Sequence, residues 1–291
     1  MTDTTVAVPA ATPILPVAVV IPSHNRKHTL ARALDSVLAQ TRTPAEIVVV
    51  DDGSGDGTDT FITRNYPQIR LLCQANAGVS AARNHGIAAT RAPWLAFLDS
   101  DDEWLPDKLA QQFACIKDHP DAAIVHCDEI WIRHGRRVNP GRKHQKQGGD
   151  IFEQCLALCA ISPSAVLLRR SVLESTGGFD ESLVACEDYD LWLQLTSQLP
   201  VHYIDQPLLR KFGGHNDQLS RQHWGMDRFR VKALAKLLRQ TKLSPNQFLM
   251  TRRTLAKKCN VLMKGALRHN NREVMQQCQS LLSEFEISHD H

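Results

Sequence analysis

Short apolar runs alternate with amphipathic stretches through the first hundred residues. Val17-Ala18-Val19-Val20-Ile21 is a continuous, largely β-branched run that stops at Pro22, as a strand covered on both faces would. Leu30, Ala33, Leu34, Val37 and Leu38 follow at helical spacing and predict an amphipathic helix over 28–40. Thr43-Pro44 breaks it, and Glu46-Ile47-Val48-Val49-Val50 reads as a second buried strand. The turn cluster Asp51-Asp52-Gly53-Ser54-Gly55-Asp56-Gly57 comes next, where glycine supplies positive φ. Helices over 58–65 and 79–89 and strands over 69–73 and 94–98 continue the rhythm. This alternation predicts a parallel α/β sheet with right-handed crossovers.

The rhythm then changes. A helix is expected over 105–117, a strand over 122–127, and a hairpin over 130–139 around His134-Gly135. Residues 141–149 are polar, basic and glycine-containing, and read as a flexible loop. A short strand over 165–168 precedes a helix over 188–197 whose Leu191, Trp192 and Leu195 face inward. From Trp224 onward helices dominate, over 229–240, 245–262 and 272–285. No internal repeat is evident.

Composition narrows the class. With 291 residues and 43% apolar content, the chain can build one large soluble domain, or one domain with an appendage. No stretch approaches the roughly 18 apolar residues of a membrane span. Residues 1–16 are small, proline-rich and lack a basic start, so they read as a mobile tail rather than a secretory signal. Eight cysteines form no CxxC pair, and no His/Cys pair completes a zinc site with Cys155 and Cys159. They read as reduced residues of a cytosolic protein. The net charge of +3 hides a division: residues 221–272 hold fourteen Lys/Arg against Asp227 alone, whereas residues 1–220 hold twenty basic and twenty-six acidic groups. That shift places a boundary at 220, with a main domain over 17–220 and a basic helical region over 221–291.

Four polar clusters lie at or just after predicted strand ends: Pro22-Ser23-His24-Asn25, Asp51-Asp52-Gly53-Ser54, Asp99-Ser100-Asp101-Asp102 and Glu187-Asp188. In an open α/β sheet the carboxyl ends of parallel strands share one edge, where ligands bind. Carboxylates as close as Asp99, Asp101 and Asp102 repel one another, so a divalent cation would offset them. The competing reading is an Asp-rich loop capping the next helix. For Glu187-Asp188 the simple alternative is again a helix cap, and for Arg83 a helix-surface arginine.

The segments VVIPSHNR, IVVVDDGSGDGT, ANAGVSAARNHGI, FLDSDDEWLPDKL, GGFDESL and CEDYDLWLQL, in this order and spacing, resemble the family-2 glycosyltransferases. The resemblance spans roughly Val17 to Ser220. It implies a GT-A fold, a Rossmann-like, mostly parallel sheet flanked by helices, here with a C-terminal α-helical extension. It also implies inverting transfer of a sugar from a nucleoside diphosphate donor, by family habit uridine-linked, to an acceptor hydroxyl. Carried over, Asp51 and Asp52 hold base and ribose, and Pro22, Ser23, His24 and Asn25 lie near the base. Arg83, Asp99 and Ser100 reach the donor. Mg²⁺ or Mn²⁺ sits on Asp101 with Asp99 or Asp102, and His215 touches the metal or diphosphate. Asp188 is the general base, with Glu187 orienting it or meeting the acceptor. Gly177-Gly178-Phe179-Asp180 belongs to the acceptor side, and Trp104 and Trp192 serve either the core or a sugar.

The basic region reads as helices packed on the main domain, or as a contact with anionic membrane that suits a lipid-linked glycan acceptor at the inner face. A nucleic-acid binder is disfavoured by the absence of interleaved aromatics and by the acidic main body. A nucleotidyltransferase would carry a glycine-rich phosphate loop after the first strand. A catalytically silent sugar-nucleotide binder would not need Asp99, Asp101 and Asp188 together.

Overall fold

The computed structural model describes residues 14–214 and 225–287. In chain order the first half comprises β1 (Ile14–Ser23), α1 (Lys27–Leu38), β2 (Thr43–Asp52), α2 (Thr58–Asn65), β3 (Arg70–Gln74), α3 (Val79–Ala88), β4 (Trp94–Phe97), β5 (Glu103–Trp104) and α4 (Lys108–Asp118). Then come β6 (Ile124–Arg133), β7 (Arg136–Val138), α5 (Phe152–Ala157), β8 (Leu167–Arg169), α6 (Arg170–Ser175), α7 (Glu187–Thr196) and β9 (His202–Gly213). Three helices close the chain: α8 (Asp227–Gln240), α9 (Pro245–Arg268) and α10 (Arg272–Glu284).

Eight strands run in the order β3-β2-β1-β4-β8-β6-β9-β5, with β7 hairpinned onto β6. The first four are parallel, in keeping with the buried apolar runs of β1, β2 and β4. The second half is mixed: β8 is antiparallel to both β4 and β6, while β6 and β9 are parallel. Alternate residues of β1 feed the two sides of the sheet. Val17, Val19 and Ile21 pack with Leu30, Leu34 and Leu109, whereas Ala18 and Val20 join the core that holds Phe97, Trp192 and Leu234.

Several expectations change. β1 starts at Ile14, inside the segment expected to be tail, because Ile14 and Leu15 pair with Thr43 and Pro44 of β2. Residues 1–13 lie outside the described residues. The helix expected from Leu105 starts at Lys108, after Glu103 and Trp104 pair with β9. The expected flexible loop over 141–149 is pinned: Lys146 is buried 3.3 Å from Glu129, and Gly149 bridges Val201. The hairpin at His134-Gly135 is present, with positive φ at both residues.

The apolar stripe of α8 (Phe229, Val231, Ala233, Leu234, Leu237, Leu238) enters the same core as Leu95 and Phe97, together with Leu255 and Cys259 of α9 and Cys278 of α10. Among the described residues no helix is long and apolar enough to cross a membrane.

α3 approaches the sheet through Gly86, where an added Cβ would lie 2.4 Å from Val20 Cγ1 and 3.2 Å from Val50 Cγ2. That close contact sets the depth at which Arg83, one turn earlier, meets the sheet edge. Gly86→Ala should therefore lower unfolding free energy by about 2 kcal/mol through overpacking, read from urea denaturation; an unchanged midpoint would show that α3 can shift freely.

Candidate active site

β1 lies between β2 and β4, so the clusters after these three parallel strands meet at one edge. The contacts are direct. His24 Nδ1 lies 2.7 Å from the Asp52 carbonyl, the Asn25 amide donates to Ser54 Oγ at 2.8 Å, and Asn25 Oδ1 accepts from the Gly55 amide at 2.8 Å. Asn25 adopts φ +52°, which its side chain tolerates. Pro22 and Ser23 are buried, and Ser23 Oγ has no hydrogen-bond partner among the described residues. A buried unpaired hydroxyl at a sheet edge is costly unless a ligand meets it.

The two aspartates after β2 have different duties. Asp52 accepts from the Ala77 and Gly78 amides and from Gln74 Nε2, each at 2.8 Å, and so holds the β3–α3 turn. Asp51, also buried, accepts only the Ser54 amide at 3.1 Å among the described residues. Asp51 is the one with acceptor capacity left for a ligand.

After β4 the acidic loop is bound by groups from four other segments. Asp102 is buried; its Oδ2 accepts from Ser164 Oγ at 2.6 Å and its Oδ1 from the Phe212 amide at 3.0 Å. Burial, with Asp101 and Asp99 nearby, raises its carboxyl well above the usual range, and Lys211 opposes the rise. Asp99 accepts from Arg83 at 2.8 Å, and its amide donates to Ser164 Oγ. Asp101 lies 3.6 Å from the Arg26 guanidinium, and its carbonyl accepts from Arg32, which also stacks 3.7 Å over Phe212. Ser100 is buried.

These contacts correct the charge argument made from sequence. Arg83, Arg26 and Lys211 already offset the carboxylates, so their crowding alone does not demand a metal. Asp102, with both oxygens engaged inside the fold, is not placed as a ligand. Among the described residues no group of three or more His, Cys, Asp and Glu gathers as a metal site. Asp101 and Asp99 would be the residues to hold a metal; carboxylate oxygens are the donor chemistry of a hard cation that keeps waters and takes phosphate oxygens. His215 lies outside the described residues.

Arg83 is 3% exposed rather than a surface residue, and it joins the two halves of the site. One nitrogen donates to Asp99 and another to Glu187 Oε1 at 2.6 Å. The two carboxylates drive the guanidinium pKa up against the effect of burial. Glu187 is itself buried; desolvation and Asp188 push it upward while Arg83 pulls it down. Phe179 supports the bridge, 5.0 Å from Arg83 and edge-on to Phe97. The Gly178 turn that places Phe179 needs its glycine: φ is +84°, and a Cβ would lie 2.8 Å from Asn84 Oδ1. Asp180 bonds Lys236 of α8 at 2.7 Å, so the turn expected on the acceptor side is anchored within the fold.

Cys186, the residue before α7, sits in the left-handed region at φ +63°. Such a conformation costs a non-glycine residue about 1–2 kcal/mol and tends to cluster at functional sites. It opens the helix at Glu187 and Asp188, whose charges suit a helix N-terminus. Asp188 is half-buried: Oδ1 accepts its neighbour's amide, Tyr189, at 2.7 Å, and Oδ2 accepts the Cys159 thiol at 3.0 Å. That thiol is raised well above its ordinary value by burial and by Asp188.

Sequence reasoning missed three participants. Lys211 donates to Ser162 Oγ at 3.0 Å, and Glu129, Asp102 and Asp99 hold it cationic despite burial. Ser164 ties Asp99 to Asp102, and Cys159 meets Asp188. Ser162-Pro163-Ser164 was a visible turn signal, but nothing in its spacing pointed toward the acidic loop. Trp104 and Trp192 are buried core residues, Trp104 donating to the Ser164 carbonyl at 2.8 Å.

Removing one partner of a buried ion pair strands the other. Arg83→Met should destabilise the fold by about 3 kcal/mol, and adding Glu187→Met should restore much of the loss in urea denaturation. An Arg83→Met protein as stable as the parent would show that the bridge carries no weight.

The glycosyl transferase family 2 model matches residues 18–177, more than half of the chain. An uncharacterized glycosyltransferase of Rickettsia typhi is 32% identical over 208 residues, covering 69% of this chain and 65% of that protein. The UDP-Glc:alpha-D-GlcNAc-diphosphoundecaprenol beta-1,3-glucosyltransferase WfgD of Escherichia coli is 32% identical over 181 residues, covering 62% of this chain and 69% of WfgD. Among solved structures, S. aureus TarS in complex with UDP-GlcNAc superposes with TM-score 0.68 at 19% identity, over 92% of this chain and 80% of that one. The mannosyltransferase PcManGT of Pyrobaculum calidifontis, in complex with GDP-Man and Mn²⁺, gives TM-score 0.57 at 18% identity, over 96% and 87%. The fold is therefore of GT-A type, and the chain belongs to glycosyl transferase family 2.

Proposed function

We propose that the chain is an inverting glycosyltransferase that moves a sugar from a nucleoside diphosphate donor to an acceptor hydroxyl. The observation that carries this reading is the Arg83 bridge between Asp99, on the acidic loop, and Glu187, next to Asp188. It gives the leaving-group side and the acceptor side one fixed relation. Ser23 and Asp51 have unspent hydrogen-bonding capacity for the nucleoside. A divalent cation on Asp101 and Asp99 would supply positive charge for the departing diphosphate.

Asp188 acts as the base. The acceptor oxygen bonds to the anomeric carbon as the bond from that carbon to the diphosphate breaks, and the hydroxyl proton passes to the Asp188 carboxylate. For that, the acceptor hydroxyl takes the place of the Cys159 thiol at Oδ2. Glu187, committed to Arg83, orients the pair rather than taking the proton.

Neighbours solved with UDP-GlcNAc and with GDP-Man and Mn²⁺ support a nucleotide-sugar donor, and the WfgD name supports a UDP-linked hexose and a lipid-diphosphate-linked acceptor. The reading for this chain is a uridine-linked donor and a lipid-linked glycan acceptor in cell-surface polysaccharide or glycolipid assembly.

Asp188→Asn should keep the thermal shift given by UDP-sugar with Mn²⁺ and lose transfer by about 10²–10⁴-fold, the share of a general base. Parental turnover in that variant would remove Asp188 from the role.

A further inference from the structure

The +13 balance of residues 221–272 is partly spent inside the fold. Lys236 pairs with Asp180 and Asp190, Arg239 with Glu284, and Arg230 and Lys258 with Asp227. Arg252 donates to the Glu286 carbonyl. Of the rest, Lys232, Lys242 and Arg272 are exposed elsewhere, and four lie together on one helix. α9 is 24 residues long and contains no Asp or Glu. Its exposed residues Arg253, Lys257, Lys264 and Arg268 form no ion pair with the described residues. At about 100° per residue these four fall within an arc of roughly 60°. Thr251, Leu255, Cys259, Leu262 and Ala266, which bury the helix against α8 and α10, centre on the opposite side.

The cationic arc has apolar borders. Leu249 (42% exposed) and Leu267 (75%) lie along one edge and Val261 (61%) along the other. An aliphatic side chain left this exposed gains nothing from the fold. Basic groups between exposed aliphatics are the signature of a helix lying in a membrane interface, where charge attracts anionic headgroups and the aliphatics enter the acyl boundary.

We propose that this face of α9 is a docking surface for an anionic lipid bilayer. The surface is defined by charge and exposure alone, and so stands apart from the donor and acceptor chemistry. A polynucleotide would use the four cations but has no use for the aliphatic borders.

The test is flotation of the full chain with phosphatidylcholine vesicles, with and without phosphatidylglycerol, at low and high salt. Binding should require phosphatidylglycerol and weaken with salt. Combining Arg253→Gln, Lys257→Gln, Lys264→Gln and Arg268→Gln should reduce partitioning at least a hundredfold, at about fivefold per charge, equivalent to ~1 kcal/mol each. A control with the same charge change on other exposed positions, Arg42→Gln, Arg64→Gln, Arg91→Gln and Lys117→Gln, should bind within a few-fold of the parent; circular dichroism confirms that both fold. Val261→Ser with Leu267→Ser should weaken the binding that persists at high salt. No association with anionic vesicles overturns the proposal, as does equal loss in both quadruple variants. Salt-sensitive binding of a DNA duplex through the same four cations, without vesicle association, would assign the face to polynucleotide instead.

Discussion

Arg83 donates to two carboxylates from distant parts of the chain, Asp99 sixteen residues away and Glu187 more than a hundred away. The guanidinium could not be buried without them, and Arg83 pulls the buried Glu187 back toward its ionised form. Its planar fork serves two acceptors at fixed angles, which a lysine could not do. A buried ion pair of this kind adds little net stability, because desolvation offsets the attraction. Its contribution is geometric: α3, the loop after β4 and the start of α7 have one relative position. The close contact at Gly86 and the Phe179 turn both serve that position.

A second network locks the acidic loop from the other side. Ser164 receives the Asp99 amide and donates to Asp102, while Asp102 receives the Phe212 amide of β9. Lys211, one residue earlier on β9, places a positive charge near Asp99 and Asp102. Of the three carboxylates, Asp102 is thus a structural keystone, with both oxygens engaged inside the fold. The loop's acidity is moderated by the protein before any ligand arrives.

How much of this was legible depended on the range of the signal. The apolar runs at 17–21, 46–50 and 94–98 and the helical spacing between them are local patterns, and they placed the three polar clusters on one sheet edge correctly. β9 was not seen because His202–Gly213 mixes charged and polar residues around Pro207 and is only partly buried. With it went Lys211 and the Phe212 amide. Pairings such as Arg83–Glu187 and Cys159–Asp188 join residues far apart in sequence and leave no periodicity to read. The charge division at 220 was visible as composition, but only the folded helices separate cations consumed by Asp180, Asp190, Asp227 and Glu284 from those left on the face of α9.

The most direct measurement is a crystal structure of the chain with a uridine diphosphate compound and manganese. This account predicts anomalous manganese signal at Asp101 and Asp99, with the diphosphate beside it and the uridine against Ser23 and Asp51. A nucleotide bound elsewhere, with the loop after β4 vacant, would contradict it.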